Sequence, residues 1–381
     1  MAPAGSFDVL VRGSGAVGLA AALALSRQGL AVALAGPAEP PGGDDVRAYA
    51  LNAASVALLR QLKVWDAIPA DARTAVHEMR IEGDAPGAAL AFSAWAQGAS
   101  ELAFIVDAAE LERALRAAVR FAPHVAWLPQ GAEAGAGPAA ALQVLAEGRD
   151  SASRERLGVR MPRQAYGQRG IAARLVSDRP HGGLARQWFR SPDVLALLPL
   201  DRPAFEGRPG HGLGLVWSVP DERADALMAL SDEAFVAELM AASGGAAGTL
   251  QLASRRAQWP LVLAQAERVC GAGWVLVGDA AHLVHPLAGQ GLNLGFGDVE
   301  ALARVIAARE PWRPLGDLRL LQRYARERAA PVAAMARLTD GLLQLFASPL
   351  PWVRELRNRG LTLVDHLPPV KRLLTGGAAG G

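Results

Sequence analysis

Apolar positions along the chain follow two periods, and the order in which they alternate predicts an α/β fold. FDVLVR (7–12) is a short apolar run closed by Arg12, AVGLAAALALSRQG (16–29) carries apolar residues all round a helix, and AVALAG (31–36) is a second short run. With the glycines of RGSGAVG between the first two, this reads as strand, tight turn, helix and strand. Further on, ALNAASVALLRQLKVWDAI (50–68) has helical spacing through Leu51, Val56, Leu58, Leu59, Leu62 and Trp65. HEMRIEG, AALAFSA and ELAFIV read as strands, AAELERALRAAVRF as a helix, and GAEAGAGPAAA (131–141) as a loop before the strand ALQVLAE.

Between 165 and 218 the pattern shortens into several strands, AYGQRGIAARLVS, ARQWF, DVLALLPL and GLGLVWS, which predict a second, mainly antiparallel sheet. Residues 220–242 read as helix, LQLASRRAQWPL as strand, and GWVLVG (273–278) as a buried strand leading into a glycine-rich turn. From there the chain is mostly helical. The expected architecture is a Rossmann-like α/β domain that GWVLVG rejoins after an inserted β-sheet domain, with a helical C-terminal region.

Composition narrows the function classes. A chain of 381 residues, 51% hydrophobic and 20% charged, buries a large core and suits two domains. Its 39 Lys and Arg nearly balance 37 Asp and Glu, with no basic block, so no nucleic-acid partner is expected. Cys270 is the one cysteine, which excludes an internal disulfide and fits a reducing compartment. Six residues before the first strand leave little room for a signal peptide, and no apolar run reaches spanning length, so a cytoplasmic location is expected.

Two motifs carry chemistry. Gly13, Gly15 and Gly18 fit G-x-G-x-x-G, where the turn brings backbone N–H groups of Gly15, Ala16 and Val17 towards a pyrophosphate. Arg12, at the end of the buried strand, either faces that anion or reaches solvent at the sheet edge. The second motif is GWVLVGDAAHLVHPLAGQGLNLGFGDVEALARVI (273–306). Asp279 ends a strand, as a helix cap or as an acceptor for a sugar hydroxyl, and Gly289, Gln290, Gly291, Leu292 and Asn293 open a helix. His282 and His285 lack a third ligand at metal-binding spacing, so no metal is expected.

This second stretch resembles the flavin-contacting motif of the FAD-dependent, para-hydroxybenzoate-hydroxylase-like aromatic monooxygenases, and in particular their ubiquinone-biosynthesis branch. VRAYALNAASVALLRQLKVW, EGRDSASRERLGV, AYGQRGIAARLVSDRPHGGLARQWF, LALLPL, LVWSVP and the tail LTDGLLQLFASPLPWVRELRNRGLTLVDHLPPVKRLL agree with it in order. The resemblance implies that Gly13, Gly15 and Gly18, with Ala16 and Val17, hold the FAD pyrophosphate. Arg47 would contact the flavin nucleotide and Asp279 the ribityl chain, while Pro286 and Gly289 to Asn293 would border the isoalloxazine. It divides the chain into FAD-binding segments 1–75, 98–162 and 266–312, substrate-domain segments 76–97 and 163–265, and a C-terminal helical region 313–381.

The implied reaction is hydroxylation of a phenolic, polyprenyl-substituted ring in ubiquinone biosynthesis, with NAD(P)H as reductant, O2 as co-substrate and a C4a-hydroperoxyflavin as the oxygen donor. No side-chain nucleophile is expected. Tyr166, His181 and Trp217 are the substrate-pocket candidates, because they lie in the segment that should cover the ring. Other quinone-biosynthesis proteins are implied as partners. The basic, apolar C-terminal stretch WVRELRNRGLTLVDHLPPVKRLL suits either peripheral contact with the inner face of a membrane or docking on its own domain.

Three departures from the family pattern stand out. Gly36 replaces the acid that usually ends the second strand, with Glu39 three residues later; Glu147 replaces the aspartate of the Asp-Gly motif; and the segment before ALQVLAE is short. From these, Gly36→Glu is expected to tighten FAD binding, and the alternative function is a catalytically impaired flavin-fold subunit of a quinone-biosynthesis assembly. An NAD-dependent dehydrogenase would lack both the acid after the second strand and an evident catalytic residue.

Overall fold

Val9, Leu10 and Val11 are wholly excluded from solvent, and their strand, Phe7–Arg12, lies inside a six-stranded sheet. The computed structural model describes residues 7–39, 45–83, 89–128, 138–203, 208–284 and 290–347, the side chains of Gln290 and of 342–347 apart. Val32–Ala35 and Ala140–Leu145 flank Phe7–Arg12, both parallel to it. Val125–Trp127 extends one side, and Trp274–Leu276 the other. Cys270–Gly271 closes the edge as an antiparallel partner. Parallel strands buried on both faces are continuous apolar runs, which is why GWVLVG and FDVLVR look alike in sequence. GWVLVG therefore rejoins the opening sheet, one strand removed from Phe7–Arg12.

The helices Ala16–Ser26, Ala108–Arg120 and Gln290–Ala307 pack on this sheet and share one apolar core with it. A long helix, Leu318–Ala347, lies against Gln290–Ala307 and contains Pro331.

The second large sheet is built around the long strand Arg163–Ser177, which pairs antiparallel with Gly212–Pro220 and Ala257–Gln265. Beyond Gly212–Pro220 come Asp193–Pro199, Leu184–Arg190, Glu78–Glu82 and Ala89–Ser93. Only Leu184–Arg190 and Glu78–Glu82 run parallel. Alternation sorts the two faces. Ile171, Ala173, Leu175, Leu215 and Trp217 pack with Phe235 and Leu239 of the helix Asp232–Ser243. Ala172, Val216 and Ala196 face the opposite way, into a cavity. A three-stranded antiparallel sheet of Ala48–Leu51, Ala103–Asp107 and Arg73–Val76 joins the two cores.

The helix expected over 50–68 is shorter than its periodicity suggests. Ala48–Leu51 is a strand paired with Ala103–Asp107, and the helix runs only over Ala53–Gln61. Asn52 explains the break: its side chain accepts from Ser55 N and caps the helix, which forces the preceding residues into extended backbone. Lys63, at φ +59°, ends the helical run.

Candidate active site

A cavity of about 1000 Å3 lies between the parallel sheet and the inner face of the nine-stranded sheet. At one end it meets the glycine turn. Gly13 has φ +105°, and a Cβ there would stand 2.2 Å from Ala146 O. A Cβ on Gly18 would stand 1.9 Å from Gly13 O, so the turn closes only without side chains. The helix Ala16–Ser26 begins with no side-chain cap, and Gly15, Ala16 and Val17 line the cavity. Unpaired N–H groups and the helix dipole there favour an anion.

Arg116 adds a charge at the same end. Its guanidinium is buried, lines the cavity and donates to Ser14 O, Pro37 O and Ala38 O at 2.8–3.0 Å, all neutral acceptors. Glu112 stands 3.7 Å away. Arg47 also lines the cavity, gripped by Asp45 through Nε (2.9 Å) and Nη2 (2.7 Å), with Tyr49 5.7 Å below its guanidinium. Burial pushes the Tyr49 hydroxyl up to about 12, so it is protonated at neutral pH.

Asp279 stands across the cavity at the start of the flavin-type turn. Its carboxylate is open to the cavity, while protein encloses it elsewhere, and it accepts no hydrogen bond from a described residue. That enclosure raises its pKa against the pull of His282, Arg149 and Arg47. Gly291 and Leu292, in the first turn of Gln290–Ala307, border the same space. An acceptor without a donor among the described residues, facing a helix start whose turn closes only with glycine at 13 and 18, fits a ligand with sugar-alcohol hydroxyls at one point and phosphates at the other. FAD has both.

A layer of buried polar groups behind the cavity holds this geometry. His282 Nε2 lies 2.7 Å from Asp298 Oδ2, which also accepts from Gly278 N at 2.8 Å, and Arg328 Nε donates to Asp298 Oδ1 at 2.7 Å. Arg154, also buried, donates to Ala280 O (3.2 Å) and Arg149 O (3.0 Å), tying the Glu147-Gly148 arm to the Asp279 turn. Glu147 itself accepts from Ser151 Oγ (2.5 Å), Ser153 N (3.0 Å) and Ser153 Oγ (2.9 Å), so its longer side chain caps the helix Ala152–Arg156. Gly148 and Arg149, rather than Glu147, line the cavity.

Several expected site residues stand elsewhere. Trp217 is fully buried on the outer face of the sheet, where its indole donates to Asp193 at 3.3 Å. His181 is buried in a turn, accepting from Gly183 N and facing Asp201 at 3.1 Å. Burial keeps its pKa low in spite of that carboxylate. Tyr166 faces Asp340 of the long helix, and burial, then Asp340, pushes its hydroxyl to about 12. None of the three is among the residues lining the cavity. Asn293 is spent on structure: Oδ1 accepts from Asn52 N and Ser55 Oγ, and Nδ2 donates to Ala50 O. Pro286 and Gly289 lie outside the described residues, as do His285 and the side chain of Gln290. Arg12 takes neither expected place. It is buried beside Glu147 and Arg156, and burial lowers its pKa.

Gly36 is not a gap left by a missing acid. It has φ +148°, and a Cβ there would stand 2.8 Å from Ser14 Oγ and 3.0 Å from Ser14 N. The backbone approaches the glycine turn too closely for a side chain. Glu39 lines the cavity instead and pairs with Arg120.

Residues 6–130 and 139–339 match the family described as FAD binding domain. Ubiquinone hydroxylase UbiL of Rhodospirillum rubrum is 31% identical over 393 residues, covering 98% of this chain and 89% of that one. The chain belongs to the ubiquinone-hydroxylase family of FAD-dependent monooxygenases. Escherichia coli 3-demethoxyubiquinol 3-hydroxylase is 30% identical, covering 96% of each chain. Among solved structures, the probable FAD-dependent monooxygenase PqsL of Pseudomonas aeruginosa superposes with a TM-score of 0.74 at 22% identity, over 94% of this chain and all of that one, which speaks for the fold.

The described residues of this chain contain no group of three or more His, Cys, Asp or Glu placed to hold a metal, and no helix long and apolar enough to cross a membrane. Arg116, Tyr49 and Arg154 are the residues that sequence reasoning missed. Only Arg154 left a signal, in the spacing of EGRDSASR.

Proposed function

We propose that this hydroxylase acts on a phenolic, polyprenyl-substituted ring in ubiquinone biosynthesis, with FAD as cofactor, NAD(P)H as reductant and O2 as co-substrate. The observation that carries the reading is the continuity of one cavity, from Gly15–Val17 past Asp279 to the apolar face made by Ala172, Val216 and Ala196. Bound FAD would supply the redox chemistry and the activation of dioxygen.

The chain's own groups bind, orient and shield. Backbone N–H groups of Gly15, Ala16 and Val17, with Arg116 beside them, hold the pyrophosphate; Gly13 and Gly18 let the turn that presents them close. Arg47 contacts the nucleotide, Asp279 accepts from ribityl hydroxyls, and Gly291 and Leu292 present the start of a helix to the ring, where its dipole favours negative charge. The apolar sheet face lets an aromatic ring approach while excluding bulk water. On this reading, segments 1–75, 98–162 and 266–312 bind FAD and segments 76–97 and 163–265 bind substrate. The division is supported by most of the strands: those of 163–265 lie in the nine-stranded sheet and the parallel sheet draws only on the FAD segments, whereas His282–Leu283 crosses over to pair with Ala257–Gln265 and Ala48–Leu51, Arg73–Val76 and Ala103–Asp107 form a third sheet.

Purified protein should be yellow, bleach with NAD(P)H and regain colour in air, and its deletion should cause a phenolic ubiquinone precursor to accumulate. Colourless protein that ignores added FAD would sink the proposal in favour of an accessory subunit. Peripheral membrane contact and association with other quinone-biosynthesis proteins belong to the same reading, supported by the basic, apolar composition of 352–374. Equal sedimentation with anionic liposomes of the full chain and of a chain ending at Leu345 would remove the membrane part.

A further inference from the structure

One row of residues runs across four strands on the cavity face of the large sheet. Trp259 pairs with Gly170, Gly170 with Ser218, and Ser218 with Val194. Trp259, Ser218 and Val194 line the cavity. Gly170 is the low point between two polar side chains. A Cβ on it would stand 3.3 Å from Trp259 Nε1, so the indole lies over the bare Cα with its nitrogen at the gap.

Neither Trp259 Nε1 nor Ser218 Oγ hydrogen-bonds to another described residue, although Ser218 is only 3% exposed. Neither atom is sealed off from the cavity, so a ring that displaces water from this face must offer each a partner or leave it unsatisfied at a cost. The next row, Ala257, Ala172, Val216 and Ala196, is small and apolar, which leaves room for a flat ring beside the two polar groups.

We propose that Trp259 and Ser218 form a clasp over Gly170 for an oxygen substituent of the aromatic substrate. Indole N–H only donates, and a serine hydroxyl can donate beside it, so the pair selects an oxygen that accepts twice. A phenolate or a ring carbonyl does so better than a neutral phenol. The clasp thus orients the ring and favours its ionised form. The inference rests on the hydroxylase reading only in taking this part of the cavity as the substrate chamber.

The test uses the full-length, FAD-loaded protein with 4-nitrophenol as probe, whose phenolate is read by absorbance. Wild-type protein should bind it with its ionisation shifted to lower pH than in free solution. Trp259→Phe and Ser218→Ala should each weaken binding roughly tenfold, the loss of about one hydrogen bond, and return the ionisation towards the free value while leaving the flavin spectrum unchanged. Failure of the wild type to bind the probe, or wild-type binding and ionisation in both variants, would overturn the clasp. The wider reading fails separately: protein that holds the phenolate and loses it in both variants, yet consumes no NAD(P)H and O2 with any phenolic quinone precursor, has the clasp without the hydroxylase.

Discussion

His282 and Asp298 form a buried ion pair, 2.7 Å apart, that joins the turn carrying Asp279 to the helix behind it. Burial alone would push the imidazole down, but the charge of Asp298 and its hydrogen bond outweigh this and hold His282 above its ordinary 6.5. For Asp298 burial pushes the other way, and His282 with Arg328 outweigh it to hold the carboxyl below its ordinary 3.8.

The signs define a pH window. A raised imidazole stabilises the fold below its unfolded pKa and loses that effect as pH rises through the folded value. A depressed carboxyl stabilises above its unfolded pKa and loses it as pH falls through the folded one. The pair therefore contributes fully between 3.8 and 6.5. Asp298→Asn should cost about 3–5 kcal/mol, since it leaves Arg328 and His282 without their buried counter-charge. His282→Gln should show its largest deficit at about pH 5 and a smaller one at about pH 9. Urea unfolding across that range reads both; a deficit for His282→Gln that grows with pH would contradict the pairing.

Asp279 should behave in the opposite sense. Its pKa is raised, so above the unfolded value its ionisation opposes folding, and Asp279→Asn removes that cost. At neutral pH the FAD-free variant should be at least as stable as wild type. Its affinity for FAD should fall by about 10- to 100-fold, from the loss of one charge-assisted hydrogen bond. Flavin titration and thermal unfolding separate the two effects; a variant that loses stability but keeps its affinity would place Asp279 in the scaffold.

Gly13→Ala and Gly18→Ala should both abolish the yellow colour of the purified protein. Each Cβ meets a backbone oxygen within 2.2 Å, and backbone, unlike a side-chain tip, cannot swing aside. A destabilisation of about 1–3 kcal/mol is expected with the loss of flavin. Normal flavin content in either variant would mean that the turn opens far more easily than its packing implies.

Gly36→Glu should weaken FAD binding, against the expectation drawn from the family pattern. The new Cβ would press on Ser14 at the base of the pyrophosphate cradle, at a φ that side chains rarely adopt. Glu39→Gln, which changes charge without bulk, is the better probe of the adenosine end. Tighter binding by Gly36→Glu would show that the loop after Ala35 rearranges to accept an acid.

Sequence disclosed the parts of this molecule that obey short-range rules. The βαβ unit, the strands of the second sheet and the two glycine-rich turns are periodic or carry their signal in adjacent residues. Asn52 shows where periodicity alone misleads, because a local cap cuts an apolar stretch of helical spacing, and the contact of Asn52 N with Asn293 Oδ1 holds it in place. Trp217 and Tyr166 show the second failure. Strand alternation says that neighbours face opposite ways, but not which face is the cavity. Arg116 shows the third: on a helix pattern it reads as a surface charge, and only the loop carbonyls of Pro37 and Ala38, brought over it by the fold, make it a buried cation.

The interleaved order of the parallel sheet has a consequence for how the enzyme is made. Ala140–Leu145 waits for its outer partner, Trp274–Leu276, while the strands from Arg163–Ser177 to Ala257–Gln265 are synthesised, and through that time its edge is open to pairing with other chains. The two walls of the proposed cofactor cleft likewise leave the ribosome far apart in time, Gly13–Gly18 first and Asp279 much later. Flavin capture is therefore a late step of biogenesis. Overexpression without enough FAD should fill inclusion bodies before it fills the soluble fraction.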